Sequence, residues 1–432
     1  MRRQLAPEEA LVTYVVARDA TYAWALRREG QVGFVRRPVG EAELSRQVGR
    51  LREALDTNAA TIEEMADFDV GLSRRLHATL VEPLSATIGD ATTLVVVPHG
   101  PLAQVPFTVL STGPAPDLRA RPGEARFSRY AQVPWLVRQA AIVQAPSVSA
   151  VIGLRSMPEP AAGRLPFAGF GDAWFNDEQA AQARRSVAAA SPGAGIRSRG
   201  TPLARRAAPA TSASASLGVA QLARLPETAE ELRSIAQALG AAPDSVILGD
   251  EATERRVRTM DLSRRRVVMF ATHGLVPGDL DGLSQPALAL TPRQVAGGDT
   301  GDGLLTMGDI LALRLDADWV VLSACNTAAG NGQGAEAMSG LGRAFFYAGA
   351  RALLATYWPV ETESAKRLTT DLFARQAADP ALSRARALRE AMLAMIDGAA
   401  VADQRAPAAS FSHAHPLFWA PFGLVGDGGG RR

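Results

Sequence analysis

The sequence predicts an α/β fold, a mostly parallel sheet with helices on both faces, preceded by a smaller N-terminal region of meander and helices. Short apolar strands at 267–271, 319–323, 352–356 and 422–425 are each separated from the next by a helix-length segment, and strands alternating with helices imply parallel pairing. At 432 residues, 47% hydrophobic and 21% charged, the chain can bury a sizeable core. Its single cysteine, Cys325, leaves no intrachain disulfide and no cysteine-based zinc cluster to hold it together.

From the beginning, "LVTYVVARDATYAWALRREGQVGFVRRPVG" alternates apolar and polar residues around breaks at Arg18-Asp19 and Glu29-Gly30, which reads as a small antiparallel meander. Residues 41–88 then carry helical spacing, with Leu44, Val48, Leu51 and Leu55 on one face. "TLVVVPHGPLAQVPFTVL" follows as a buried strand and a Gly-Pro turn. Between about Asn176 and Leu217 the chain becomes rich in Ala, Ser, Pro and Arg and poor in large apolar residues. Such a stretch buries too little surface to offset its ordering entropy, so a flexible insertion is expected there. "LPETAEELRSIAQALG" restores periodicity, with Thr228 and Glu231 in a capping-box pattern. "LTMGDILALRL", with Thr306 as cap, supplies a crossover helix, and Met338, Leu341, Phe345 and Ala348 form a core stripe whose small neighbours Gly340, Ala344 and Gly349 allow close packing. Residues 427–432 are expected to be a disordered tail. The domain expectation is therefore 1–90, then 91–426 with an insertion at about 176–217.

Composition excludes several function classes. A formal net charge of +2 from 46 basic and 44 acidic residues gives no electrostatic footprint for nucleic acid. No apolar run approaches the roughly 20 residues that span a bilayer, and "MRRQLAPEEALV" lacks the apolar core of a secretory signal. A cytoplasmic location without membrane partners is expected. There is no G-x-S-x-G elbow, no G-x-x-x-x-G-K-[ST] phosphate loop and no H-E-x-x-H metal helix, and an ATP-driven signalling domain is disfavoured accordingly.

What remains is a pair of strand ends. "VVMFATHGLV" ends an apolar run on His273-Gly274, and "WVVLSACNTAAG" ends another on Cys325-Asn326. In a parallel sheet the carboxyl ends of strands carry ligands and catalysts. The 52-residue separation (325 − 273,) is ample for a right-handed crossover, which needs about a dozen residues. If the strands are neighbours, imidazole and thiol share one crevice. A thiol with an ordinary pKa near 8.5 is mostly protonated at neutral pH, so a base beside it is needed to make the nucleophile. Histidine can take that proton and return it to the leaving amine. Gly274 permits close backbone approach, so its N–H and that of Cys325 could bind the developing oxyanion.

These residues resemble the caspase-like cysteine peptidases, and more closely the CHAT family, whose name denotes a caspase-like domain associated with TPR repeats. "FATHG" and "VLSACNTAAG" match its histidine and cysteine blocks, "GQGAEAMSGLGRAFFYAGARALLATYWPV" the segment after the cysteine, "HPLFWAPFGLVG" its closing strand, and "PHGPLAQVPF" and "APSVSAV" its early blocks. The resemblance implies a caspase-like sandwich and a cytosolic cysteine endopeptidase with Cys325 as nucleophile and His273 as general acid/base, without metal or organic cofactor. It also implies a regulated protease of bacterial stress or antiphage signalling that cuts one or a few protein partners, a gasdermin-like pore former among them. This sequence contains no TPR array, so the sensor is expected to be missing or to lie on another chain, as a TPR-type or other sensor protein. Glu361 and Glu363, after the strand ending at Thr356, are placed by the resemblance at the wall of the substrate pocket, where a carboxylate would favour cleavage after Arg or Lys. Asp279 and Asp281 are nearby candidates for a third catalytic residue. The competing reading is a non-enzymatic scaffold that retains the pair. Of the other histidines, His99 between Pro98 and Pro101 and His415 before Pro416 read as structural, and His77 and His413 as solvated surface residues.

Overall fold

The N-terminal alternation folds as the expected meander in the computed structural model: β1 (Glu9–Val16) pairs antiparallel with β2 (Thr21–Arg27), and β2 with β3 (Gly33–Arg37). The structure describes every residue except 57–58, 189–217, 299–300, 324–332, 403–409 and 430–432. Contacts group the described residues into one unit within 1–158 and 363–429 and another within 159–188 and 218–362.

In the first unit β1 continues into a parallel sheet. It pairs with β4 (Thr93–Val97), β4 with β5 (Ala141–Gln144), and β5 with the strand Phe422–Gly426 through Val425 and Gln144. All five residues of β4 are buried, as expected for a strand between two parallel neighbours with both faces covered. Helix α1 (Glu41–Glu53) buries Leu44, Val48 and Leu51, and α2 (Val70–Leu80) starts on Asp69, whose carboxylate accepts from the Leu72 N–H at 2.7 Å. Of the tail expected at 427–432, residues 427–429 are described and make specific contacts, and 430–432 lie outside the described residues. Asp427 accepts from Arg155 at 3.2 Å and from Arg384 at 2.8 Å, while Arg155 also holds the buried Glu9 at 2.6 Å. A Gly-rich composition gave no sign that one carboxylate there completes a buried ionic cluster.

The second unit is parallel throughout its main sheet, in the order β13-β12-β8-β6-β7. These strands are β6 (Leu165–Gly171), β7 (Val246–Leu248), β8 (Arg265–Ala271), β12 (Trp319–Leu322) and β13 (Ala352–Thr356). A small antiparallel sheet of β9 (Gly274–Leu275), β10 (Ala287–Ala289) and β11 (Leu304–Thr306) follows directly from β8. The mostly parallel α/β class is as the alternation predicted.

The start of the expected insertion differs from expectation: Asp177–Ala188 is a helix, α3. Asn176 caps it, accepting from the Gln179 N–H at 2.9 Å, while Gln179 accepts from the Phe175 N–H at 2.8 Å. Ala180 and Ala183 are buried. Small alanines suffice to pack a helix face here, and a reading that looked for large apolar anchors missed it; residues 189–217 lie outside the described residues. Helix α4 (Glu227–Ala238) begins one residue before the expected cap, and the Thr228–Glu231 capping box does not form. Both residues are buried and serve tertiary contacts instead. Thr306 does cap α5 (Met307–Leu311) in a capping box with Asp309.

Helix α6 (Gln333–Ala348) buries Leu341, Phe345 and Ala348, and the Phe345 ring lies 5.7 Å from that of Phe270 in β8. The Met338 side chain lies outside the described residues. Gly349 turns the chain with φ +116°, and a Cβ there would strike the Leu315 carbonyl. Its role is thus the turn after the helix rather than helix-to-sheet packing.

Candidate active site

Four strands of the second unit end at one edge. β6 runs out into Asp172, β8 into His273, β12 into Ser323 and β13 into Tyr357. Parallel pairing aligns Trp319 with Val267 and Leu322 with Phe270, and the Ser323 N–H donates to the Phe270 carbonyl at 3.0 Å. The two candidate strands are therefore immediate neighbours, the condition on which the pair depended. Cys325, and with it one of the two expected oxyanion donors, lies outside the described residues.

His273 is 2% exposed. Its ring Nε2 lies 2.7 Å from the carbonyl oxygen of Ala223, and the ring centroid 5.6 Å from that of Phe175. A carbonyl oxygen can only accept, so this contact is a hydrogen bond only when Nε2 carries the proton. In the neutral ring that leaves Nδ1, an atom shielded from solvent, with the lone pair that can take a proton. The partner that sets the tautomer is a main-chain group on an exposed alanine, for which side-chain identity gives no signal.

Gly274 opens β9 directly after the histidine. Ala289 donates to the His273 carbonyl at 2.9 Å, and Gly274 pairs opposite Leu288. Hydrogen-bonded and non-hydrogen-bonded pairs alternate along an antiparallel ladder, so the Gly274 N–H points away from β10. The donor that the sequence nominated is thus not consumed by the ladder.

Asp279 accepts from the Val276 N–H at 2.8 Å, and burial raises its carboxyl above the ordinary value. It closes the turn after β9. Asp281 is exposed. Glu361 is 8% exposed, just before the helix Thr362–Ala378; Glu363 is exposed in that helix's first turn, where negative charge suits the helix dipole.

Five polar residues gather at the same edge. Arg224 donates bidentately to Asp172, Nε to Oδ1 at 2.7 Å and a terminal nitrogen to Oδ2 at 2.8 Å. Thr228 accepts from the Asp172 N–H at 2.8 Å and donates to the Leu225 carbonyl at 2.7 Å. Ser323 donates to the Glu231 carboxylate, 3.3 and 3.4 Å from its two oxygens, and Glu231 is fully buried. Helix α4 comes this close because β6 carries glycine at 171, where a Cβ would meet Leu232 at 2.7 Å. Glu231 was legible only as a helix-start residue, and its neighbour across the sheet edge could not be read from spacing.

His99 belongs to the first unit, where its exposed ring accepts from the Val16 N–H at 3.2 Å, a structural role as expected. His415 is fully buried among Phe127, Tyr130 and Phe418, also as expected. His77 and His413 depart from expectation: each is 7% exposed rather than solvated. His77 faces inward from α2, and His413 packs against Phe411 and Phe418. No helix among the described residues is long and apolar enough to cross a membrane.

Similarity to known proteins is widest at the level of the family. A mouse protein, tetratricopeptide repeat protein 28, is 28% identical over 236 residues, covering 47% of this chain; the chain spans only 9% of the length of that relative. Among solved structures, the separase–securin complex of Saccharomyces cerevisiae aligns with 98% of this chain and 30% of its own at 10% identity and a TM-score of 0.48. The complex of the Porphyromonas gingivalis RgpB pro- and mature domains aligns with 90% of this chain and 76% of its own, at 10% identity and a TM-score of 0.41. The family profile of the CHAT domain matches residues 70–427, which contain both candidate strand ends and the closing strand, and the chain belongs to the CHAT domain family.

Proposed function

We propose that this chain is a cysteine endopeptidase in which Cys325 is the nucleophile and His273 the general acid/base. One observation carries the reading. The parallel register of β8 and β12 has an offset of 52 residues at Trp319/Val267 and at Leu322/Phe270, and 325 − 273 is the same 52. A chain continuing in that register brings the thiol level with the imidazole on the adjacent strand, about 4.8 Å away in the backbone.

His273 is prepared for the role by the Ala223 carbonyl, which holds the proton on Nε2 and leaves Nδ1 basic. Nδ1 takes the thiol proton as the thiolate attacks the peptide carbonyl. The carbonyl oxygen becomes an oxyanion within reach of the Gly274 N–H, and the same imidazolium then protonates the leaving amine. Water attacks the thioester in the second half, with His273 again as base. Neither half requires a metal or an organic cofactor.

In this proposal the activity is regulated proteolysis of one or a few protein partners, a gasdermin-like pore former among the candidate substrates, in bacterial stress or antiphage signalling. A separate TPR-type protein is the candidate sensor. The direct test is covalent labelling by a peptide-based electrophile, read by mass spectrometry. Because the chain has one cysteine, adduct formation that requires His273 identifies the pair. A thiol that labels no faster than free cysteine, with or without His273, would return the chain to the scaffold reading.

A further inference from the structure

We infer that the Asp172–Arg224 ion pair is a positioning device for the catalytic base, holding the Ala223 carbonyl on His273 Nε2. The inference rests on the peptidase reading for its kinetic consequence but not for its structural one. Ala223 lies in irregular chain between the turn Val219–Gln221 and α4, so no ladder or helix fixes the direction of its carbonyl. The next residue does. The Arg224 guanidinium grips Asp172 through two parallel hydrogen bonds, and a fork of that kind fixes orientation as well as distance.

Asp172 is itself held. It sits one residue past β6 with φ +48°, in the left-handed region that few non-glycine residues occupy. Its N–H is anchored on the Thr228 hydroxyl, which is anchored in turn on the Leu225 carbonyl. These bonds close a ring, from Asp172 to Arg224, along the chain to Leu225, across to Thr228 and back to Asp172. The peptide that carries the Ala223 carbonyl is bonded directly to that ring at the Arg224 Cα. On the other side, Asn176 donates to the Ala220 carbonyl at 2.7 Å and Gln179 to the Leu222 carbonyl at 2.8 Å. Leu222 is buried in a cluster with Phe175 and Leu275. Apolar anchoring places the strap; the ionic fork turns its carbonyl.

The pair sits at the carboxyl edge of the sheet, whereas the arginine–carboxylate network around Asp316 and Asp318 precedes β12. Stabilising the sheet does not by itself call for a second pair beside the histidine.

The test uses the full chain and three variants, Asp172→Asn, Arg224→Gln and Arg224→Lys. Asp172→Asn keeps a residue type that tolerates the left-handed region, and Arg224→Lys keeps the charge while losing the fork, so one of them is informative even where Arg224→Gln folds poorly. Nitrogen-15 NMR of the His273 ring, assigned by its loss in His273→Gln, reads the tautomer whether or not the protein is a protease. Wild type is expected to show a single Nε2–H form, and the variants a mixture. Peptide cleavage is expected to lose roughly ten- to a hundredfold in kcat with KM within about twofold, the size of effect that a small misplacement of a catalytic group produces. Folded variants that keep the wild-type tautomer and the wild-type kcat overturn the inference. A protein that cleaves nothing but still shows the tautomer change refutes the peptidase reading and leaves the positioning role standing.

Discussion

At the scale of the residue, the chemistry concentrates where a strand stops. In sequence His273 stands two positions past β8 and Cys325 three past β12, and substituting either with alanine is expected to abolish cleavage, a loss of at least about a thousandfold, while leaving the fold intact. His99→Ala, which removes only the acceptor for the Val16 N–H, is expected to spare catalysis and cost about 1 kcal/mol of stability. Cleavage retained by Cys325→Ala ends the peptidase reading. The two glutamates that were read together as a pocket wall now differ. Glu361 is buried and Glu363 exposed on a helix's first turn, so Glu361 is the better candidate for a charge-assisted bond to a basic substrate side chain. Such a bond gives about ten- to a hundredfold in selectivity. Glu361→Gln is expected to lose that preference in a peptide library and Glu363→Gln to keep it; a wild-type profile dominated by Asp or a large apolar side chain at the position before the cut rules the pocket out.

At the scale of the element, the strands were legible and the contacts between elements were not. Continuous apolar runs gave β8, β12 and β13 with their ends, because a strand buried on both faces leaves that mark on sequence alone. The helix Asp177–Ala188 was hidden by its alanines, and the start of α4 by a Thr–Glu spacing that imitates a capping box. The Ala223 carbonyl, the Asp172–Arg224 fork and the Glu231–Ser323 bond join residues 50, 52 and 92 positions apart, and no local pattern encodes such pairings. The amino ends of the same strands show the complementary arrangement. Asp318 accepts from Arg164 at 3.0 and 3.1 Å and from Arg266 at 3.4 Å, and Arg351 lies 4.0 Å away. Asp318→Ala leaves these guanidinium groups crowded around a lost carboxylate and is expected to cost about 3 kcal/mol, measured by urea unfolding, with the His273 tautomer unchanged. A change in that tautomer would show that the two edges of the sheet are coupled.

At the scale of the molecule, the two units should respond differently to acid. His77, His413 and His415 all belong to the first unit, and burial lowers them from the usual 6.5 to about 4, about 4 and about 3. Secondary contributions come from Arg74 at His77 and Arg367 at His413, with Glu82 partly opposing at His77; at His415 a hydrogen bond to the Ala66 backbone opposes the shift and Arg126 adds to it more weakly. Each ring is neutral when folded and takes up a proton near pH 6.5 when unfolded, so below that pH the unfolded state binds more protons and is favoured. The stability from these groups is present in full above pH 6.5 and is lost progressively as pH falls toward the folded values. Between pH 7.5 and pH 5 the loss is on the order of 2 kcal/mol for each histidine, a large part of the net stability of an ordinary domain. Amide hydrogen exchange at the two pH values, corrected for intrinsic rates, is expected to show protection falling across β1, β4 and β5 more than across β8, β12 and β13. Equal losses in both sets of strands, or none, would mean that these rings do not govern acid stability. Substituting His413 with Gln, which cannot charge, should then remove about a third of the pH dependence in the first unit, since three buried imidazoles of similar depth share it.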